Sequence, residues 1–321
     1  MRILSGIKPT GRPHIGNYLG AMRQHIELQN EGHECLYFVA DYHALTTIRD
    51  AETLKEYRRG VVLDYLALGL DPNKVTLFYQ SDVPEHAELQ WILSTVTNPG
   101  LLERAHAWKD SVEKGKRDIN AGLFMYPVLM AADILIYQSD FVPVGKDQKQ
   151  HVEIARDIAI AFNNFYGETF KLPQDKIEKE VETVLGTDGQ KMSKSYNNTI
   201  SIFASEEEIK KQVMGIKTAS IDLKEPMPVK DDIILSLYKQ FSTASELSEL
   251  ESKYSEGGFG YGNAKKALLE KLLAFFEDAK IKRVKLESSK EIEIIMEAGA
   301  KKASKLAWQT MEKVYKKTGL R

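Results

Sequence analysis

The chain has 321 residues, of which 43% are hydrophobic and 28% charged, and its formal net charge is −2. This length suits two domains, and the near-neutral charge gives no general attraction to nucleic acid or to membranes. No apolar stretch approaches the roughly 18 residues of a membrane span, and the N-terminus MRILSGIKPTG lacks the apolar core of a signal peptide. The single cysteine, Cys35, excludes an internal disulfide framework. These features predict a cytoplasmic protein without membrane partners.

The first half of the chain alternates short β-rich runs with helical patterns. Strands are expected over 3–7, 35–40, 75–79 and 141–145, and helices over 17–31, 51–70 and 85–95. This alternation predicts an α/β fold, a Rossmann-like doubly wound parallel sheet with right-handed crossovers and helices on both faces. Ligands of such sheets bind at the carboxyl ends of the strands.

From about residue 205 the pattern is helical, with a glycine-rich break at 256–263. Residues 264–321 carry 15 Lys and Arg against 8 Asp and Glu, a net of +7. This excess is either a solvated helix face or a surface for a polyanion such as RNA. The expected division is a catalytic domain over 1–195 and a smaller helical domain over 196–288, with the last helix (289–321) packing back near the first domain.

The stretch FMYPVLMAADILIYQ (124–138) reads as a buried helix, yet Asp133 lies in its middle. A buried carboxylate must be paired, neutralised or exposed to a cavity, because removing it from water is costly. No cationic residue lies within one helical turn of it. Asp133 is therefore a candidate ligand-binding residue.

Two further motifs indicate phosphate chemistry. The run SGIKPTGRPHIGNYLGA (5–21) follows the first strand and opens a helix, an arrangement that directs backbone amides at an anion. His14 and Asn17 lie one turn apart there and could face the same phosphate chain. In GTDGQKMSKSYNN (186–198), Lys191 and Lys194 lie in a sequence typical of a mobile loop and could stabilise a leaving pyrophosphate.

The pairing of KMSKS with PHIGN strongly resembles the class I aminoacyl-tRNA synthetases. The segments YPVLMAADILIYQ and VPVGKDQKQHVEIARDIA are similar to those of its tryptophanyl branch, and the resemblance covers essentially the whole chain. It implies a Rossmann catalytic domain, a helical domain that reads the anticodon, and a homodimer. The implied activity is that of a tryptophan–tRNA ligase. Tryptophan and Mg²⁺-ATP form tryptophanyl-adenylate and pyrophosphate, and the acyl group then moves to tRNA(Trp).

The resemblance also implies a tryptophan site. Asp133 would face the indole N–H, which can only donate a hydrogen bond, and Met130 would pack against the ring. The remaining expected contacts are an apolar slot and a set of polar groups around the α-amino group: Leu4, Val142 and Val144 in the slot, and Tyr126, Gln148 and His43 around the amino group.

For ATP, the resemblance points to the turn after the first strand, to the GKD segment and to the KMSKS loop. The expected contacts are Lys8, Pro9, Thr10, Gly16, Asn17, Gly145, Lys146, Asp147, Val184, Lys191, Met192, Ser193, Lys194 and Ser195. Asp147 would bind ribose or order the adenylate. Lys109 matches a family lysine that contacts phosphates, although a plain surface lysine is the alternative. The groups expected to act in the chemistry are His14, Asn17, Lys109, Lys191 and Lys194, with no protein nucleophile.

Three features depart from the family pattern. Lys8 stands where glutamine is most frequent, in SGIKPTG, and Leu4 stands where an aromatic residue is often found. Some relatives carry a cysteine-ligated iron–sulfur cluster, which one cysteine cannot hold, so no cluster is expected.

The remaining histidines carry no clear functional signal, and three rival functions share some of these motifs. His25, His33 and His86 have no carboxylate at a metal-ligand spacing, so a hydrated surface role is expected, whereas His151 could lie near the site. The rival functions are a tyrosyl-tRNA synthetase, an adenylyltransferase without tRNA, and a non-catalytic sensor of tryptophan or RNA. Met130 argues against the first, because many tyrosyl relatives carry glutamine there.

Overall fold

The structure is a computed structural model that describes residues 1–113, 119–143, 149–176 and 183–321. In this part of the chain five parallel strands form one sheet in the order β3-β2-β1-β4-β5. The strands are β1 (Arg2–Ile7), β2 (Glu34–Val39), β3 (Val75–Tyr79), β4 (Phe141–Pro143) and β5 (Gln174–Lys176).

Helices follow and separate these strands. A first helical segment runs from α1 (Ile15–Asn17) through a π-helical turn (Tyr18–Met22) into α2 (Arg23–Leu28). The others before the KMSKS loop are α3 (Asp41–Ala44), α4 (Ala51–Ala67), α5 (Glu85–Ser94), α6 (Pro99–Glu103), α7 (His106–Glu113), α8 (Ala121–Ile136) and α9 (Lys149–Tyr166). After the loop come α10 (Glu206–Met214), α11 (Ile233–Lys239), α12 (Ala244–Glu256), α13 (Gly260–Glu287) and α14 (Glu291–Thr318). None of the helices in the described ranges is long and apolar enough to cross a membrane.

The predicted α/β fold class is confirmed. Each of the four expected strands is present, although β4 ends at Pro143 and the last two residues predicted for it lie outside the described ranges. The pattern missed β5, whose sequence Gln-Asp-Lys has low strand propensity. Pairing with β4 decides its conformation, with Phe141 opposite Gln174.

The sheet has an apolar core on each face. Successive residues of β1 point to opposite sides, so Ile3 belongs to one core and Leu4 to the other. The Ile3 side packs against α4 and continues into the C-terminal helices through Leu268 of α13. The Leu4 side packs against α5, α8, α9 and α14. Burial on both faces explains why these strands read as apolar throughout rather than alternating.

Helix α14 packs directly on the backbone of β3, an outermost strand of the sheet. A Cβ atom on Gly299 would lie 1.8 Å from the carbonyl oxygen of Leu77, a separation that no side chain can occupy. Only glycine lets the two backbones approach this closely. The contact covers a strand edge that would otherwise be free to pair with another chain.

We predict that Gly299→Ala destabilises the protein by about 1–3 kcal/mol or more, because the added methyl must push α14 away from β3. Gly60→Ala in the middle of α4 is the matched control, since a Cβ atom there meets nothing within 4 Å. The control should be neutral or stabilise by up to about 1 kcal/mol. Urea denaturation measures both changes, and equal stabilities of the two variants would contradict the α14–β3 contact.

Candidate active site

A cavity of about 580 Å³ opens near the carboxyl ends of β1 and β2. It is mainly apolar, with polar groups among its walls, as is typical of a site for a small molecule. Its walls are formed by Leu4, Gly6, Lys8, Phe38, Ala40, His43, Thr46, Thr47, His106, Asp110, Leu123, Tyr126, Met130, Asp133, Ile134, Val142 and His151.

Asp133, on α8, reaches this cavity from the core and is only 1% exposed. Three nitrogen donors hold its carboxylate. His43 Nε2 donates to Oδ2 at 2.8 Å, whereas His86 Nδ1 and Gln80 Nε2 donate to Oδ1 at 2.6 and 2.7 Å. The partners that local sequence lacks are therefore supplied by residues 47 to 90 positions away.

These donors decide the charge of Asp133. Burial is the largest influence on its pKa and acts upward, but the hydrogen bonds from His43 and His86 outweigh it and lower the pKa to about 2. The carboxylate is thus ionised at neutral pH and can only accept hydrogen bonds.

The surface role expected for His86 is wrong. Its side chain is fully buried (0% exposed) and its Nε2 lies 2.8 Å from the hydroxyl of Tyr137. The same expectation is wrong for His25, which is buried and hydrogen-bonded to Tyr65. Sequence spacing could not reveal either role, because each partner comes from another element of the fold.

The expected tryptophan-site residues that are described lie around the one cavity. Leu4, Val142 and Met130 form apolar wall, and His43 is in edge contact with the ring of Tyr126. The Tyr126 hydroxyl is hydrogen-bonded to His151 Nε2, which places His151 in the site as well. Burial raises the pKa of Tyr126 to about 12, so it remains a neutral phenol. Val144 and Gln148 lie outside the described residues, as do Gly145, Lys146 and Asp147.

The PHIGN turn and the KMSKS loop are in direct contact. The backbone N–H of Gly16 lies 3.3 Å from Met192 Sδ, and Lys194 Nζ donates to the carbonyl of Thr10 at 2.8 Å. A Cβ atom on Gly16 would lie 2.9 Å from His14 Nδ1 and 3.3 Å from Met192 Cβ, so glycine leaves room for both side chains. The fold thus brings the two motifs to one place beside the end of β1.

Burial shifts the pKa values of three ionisable groups at this junction. Burial, and secondarily the charge of Lys194, lowers the pKa of His14 to about 4, so its imidazole is neutral at pH 7. Burial also lowers the pKa of Lys8 and of Lys194. Lys8 lines the cavity and donates to Thr46 Oγ1 at 3.3 Å. Asn17 accepts from the backbone N–H of His14 through its side chain, which fixes the start of the helix.

The other described nucleotide-site candidates lie at this junction, with the exception of Lys109. Pro9 is buried in the turn after β1, and Val184 accepts from the N–H of Met192. Lys191 and Ser195 are exposed on the loop, and Ser193 caps its 3₁₀ turn. Lys109 is exposed on α7 and lines a different, open cavity beside Trp108 and Phe124.

Asn198 holds the KMSKS loop in shape, a role that the sequence did not indicate. It is 1% exposed and accepts from the N–H of Ser193 at 2.8 Å, while its amide donates to Asp188 and to the carbonyl of Lys191. A Cβ atom on Gly186 would lie 2.4 Å from its side chain, so Gly186 is needed to admit it.

We predict that Asn198→Ala loosens this loop, because three hydrogen bonds to one buried side chain are lost. Amide hydrogen exchange at Ser193 should accelerate roughly tenfold or more. The neighbouring Asn197→Gly variant is the control, since Asn197 is exposed with φ of 52°, a conformation that glycine adopts easily. Unchanged exchange in Asn198→Ala would show that the loop is held in another way.

Comparison with known proteins agrees with this geometry. Residues 1–277 match the model of the family described as tRNA synthetases class I (W and Y). The tryptophan–tRNA ligase of Fusobacterium nucleatum is 52% identical over 321 residues, which cover 99% of this chain and 98% of that protein. The corresponding ligase of Rhodopirellula baltica is 51% identical over the full length of both chains.

Solved structures lead to the same family. The crystal structure of tryptophanyl-tRNA synthetase from Campylobacter jejuni, complexed with ADP and tryptophan, is 48% identical. It superposes with a TM-score of 0.95 over 99% of this chain and 100% of that chain. The chain therefore belongs to the class I tRNA synthetases of the tryptophan and tyrosine family.

Proposed function

We propose that the chain is a tryptophan–tRNA ligase that joins L-tryptophan to tRNA(Trp) in two steps. ATP, as its magnesium complex, activates the amino acid as tryptophanyl-adenylate with release of pyrophosphate, and the acyl group then moves to the 3′ end of the tRNA. The observation that carries this proposal is the ionised, buried Asp133 at the wall of an otherwise mainly apolar cavity.

The geometry of Asp133 suits an indole. Oδ1 accepts two hydrogen bonds, from His86 and from Gln80. Among the described contacts, Oδ2 accepts one, from His43. A carboxylate oxygen can accept two hydrogen bonds, so Oδ2 has capacity for one more donor. The indole N–H, a donor only, would complete this set while its ring packs on Met130, Leu4 and Val142.

Selectivity for tryptophan then follows from the free-energy cost of leaving a buried polar group without a hydrogen-bond partner. Apolar fit discriminates by only about 1–3 kcal/mol per methylene, whereas a polar site left unpaired can reject an analogue by roughly 10⁴–10⁵. Phenylalanine would leave Asp133 without its last donor. Tyrosine could donate its hydroxyl hydrogen, but its hydroxyl oxygen would lack a donor beside Met130, which offers only a thioether.

Lysines near the PHIGN–KMSKS junction would stabilise the phosphates. Lys194 is already directed to the turn after β1, and Lys8 reaches into the cavity from the same turn. Lys191, exposed on the loop, would join them when phosphates bind. In this proposal these groups neutralise charge that develops on the leaving pyrophosphate, and the tryptophan carboxylate itself is the nucleophile.

The second substrate and the assembly complete the proposal. Residues 196–288 would form the anticodon-reading domain, and the net charge of +7 over 264–321 suits a surface for tRNA. A homodimer is proposed as well, and Trp91, 73% exposed on α5, is a large apolar side chain that a second copy could cover.

We predict that ATP–pyrophosphate exchange depends on tryptophan and on no other amino acid of the standard twenty. Asp133→Asn should reduce kcat/KM for tryptophan by about 10- to 100-fold or more, because a charged acceptor is lost while shape is kept. Asp157→Asn, on the exposed face of α9, is the matched control and should behave as wild type.

The possible results separate the rival functions. Exchange that responds to tyrosine would identify a tyrosyl enzyme. Exchange with tryptophan but no transfer to tRNA would leave an amino-acid adenylyltransferase. A wild-type protein that exchanges with none of the twenty amino acids would overturn the proposal.

A further inference from the structure

Behind Asp133, away from the cavity, lies a fully buried pair formed by His86 and Tyr137. We propose that His86 is the positioning residue that orients Asp133 to accept the indole N–H, and that Tyr137 fixes the tautomer of His86. This inference rests on the proposed function and deepens it. It assigns part of the amino-acid specificity to residues that do not touch the substrate.

First, the two carboxylate oxygens of Asp133 have different hydrogen-bond partners. His86 Nδ1 lies 2.6 Å from Oδ1 and Gln80 Nε2 lies 2.7 Å from it, so Oδ1 has both its acceptor positions filled from the core side. The plane of the carboxylate is thereby fixed. Oδ2, which is bonded to His43, is the oxygen left to receive a further donor.

The second step is the direction of the hydrogen bonds. Burial, followed by the charges of Asp133 and Glu85, raises the pKa of Tyr137 well above its ordinary value, so its hydroxyl keeps its hydrogen. That hydroxyl lies 2.8 Å from His86 Nε2 and donates to it. Nδ1 must then carry the imidazole hydrogen and donate it to Asp133. With both nitrogens occupied, the ring of His86 has no alternative tautomer or flipped orientation of equal energy.

The third step is the consequence of removing the donor. Burial is the largest influence on the pKa of Asp133, and the histidine hydrogen bonds oppose it. Without His86 the balance shifts toward the neutral acid, and the carboxyl group is free to rotate. Both effects weaken binding of the indole. Because the indole contact exists before and during the reaction, KM for tryptophan should rise while kcat stays nearly constant.

A pair of substitutions separates the two contacts of His86. The amide of asparagine reaches the position of Nδ1, so His86→Asn keeps a donor for Asp133 and loses Tyr137. The longer glutamine reaches the position of Nε2, so His86→Gln keeps the contact with Tyr137 and loses the donor. We expect KM for tryptophan to rise roughly tenfold in His86→Gln and to stay within about threefold of wild type in His86→Asn. KM for ATP should be unchanged in both.

The pH profile of kcat/KM for tryptophan gives a readout that a packing defect would not move. The wild-type pKa of Asp133 is lowered to about 2, so its acid limb lies below the working range. In His86→Gln the pKa rises, and the limb should move upward by about two pH units or more, into the working range, because the effect of burial is then opposed by fewer donors. Besides His43 and His86, the ionisable groups facing Asp133 across the cavity are Lys8, His106, Asp110, Tyr126 and His151. They are common to all variants, and His86→Asn, which also lacks the imidazole but keeps a donor for Asp133, is the reference profile for His86→Gln.

The control is a second buried histidine–tyrosine pair. His25 is 3% exposed and its Nδ1 lies 2.9 Å from the Tyr65 hydroxyl, far from any contact with Asp133. His25→Gln should lower thermal stability without changing KM for tryptophan or the acid limb. If both His86 variants fail to fold, Tyr137→Phe replaces them, since it removes only the hydroxyl and should raise KM about threefold.

The outcomes distinguish this inference from the function on which it rests. Absence of tryptophan-dependent exchange in the wild type overturns the proposed function. Normal exchange in the wild type, with wild-type KM and pH profile in His86→Gln, overturns the positioning role alone. Equal losses in His86→Asn and His86→Gln also overturn it, because they would indicate a packing role. In the Tyr137→Phe experiment, an unchanged KM has the same meaning.

Discussion

One buried negative charge constrains the centre of this protein. A carboxylate that is 1% exposed is tolerated only if donors surround it, and Asp133 obtains them from α3, from the turn after β3 and from α5. Those three elements must therefore meet α8 at fixed distances. The parallel sheet makes this possible, because it delivers the segments after β2 and β3 to the same end of the molecule.

The same sheet end holds the second half of the site. The turn after β1 carries PHIGN, and the KMSKS loop returns to it through the contacts of Met192 with Gly16 and of Lys194 with Thr10. Asn198 holds that loop by hydrogen bonds, and Gly186 leaves the space that the Asn198 side chain occupies. The cavity at Asp133 and the lysines of this junction are thus neighbours, which suits the proposed reaction between a carboxylate and a phosphate.

The C-terminal helices pack against the sheet and share its apolar core. Helix α14 lies on the β3 backbone at Gly299, and the apolar core on the Ile3 side continues into α13. Arg283 of α13 donates to the buried Asp64 of α4 at 2.7 Å. Burial nevertheless raises the pKa of Asp64 to about 6, although the bond from Arg283 opposes the shift. Ionisation of this one carboxyl is therefore coupled to the packing of α13 on α4.

The sequence alone determined the fold class and the chemistry-bearing motifs. The β-rich runs at β1 to β3 and the helical spacing of α4 and α5 are local patterns, so they predict the elements they form. Asp133 could be recognised as exceptional because a carboxylate inside an apolar helix is anomalous by itself. The PHIGN and KMSKS motifs could each be recognised as candidates for phosphate binding from local sequence, whereas their direct contact is a finding of the structure.

Only the tertiary structure decided which residues surround Asp133. His86 and Gln80 carry no local signal, because a hydrogen bond between residues about 50 positions apart depends on the packing of α5 and β3 against α8. The same reason applies to Asn198, to β5 and to Gly299, whose requirement for glycine comes from the backbone of a strand more than 200 residues earlier. Local sequence specifies helices, strands and residues that are unusual for their surroundings in the chain. The electrostatic environment of a buried group, by contrast, is a property of the assembled fold.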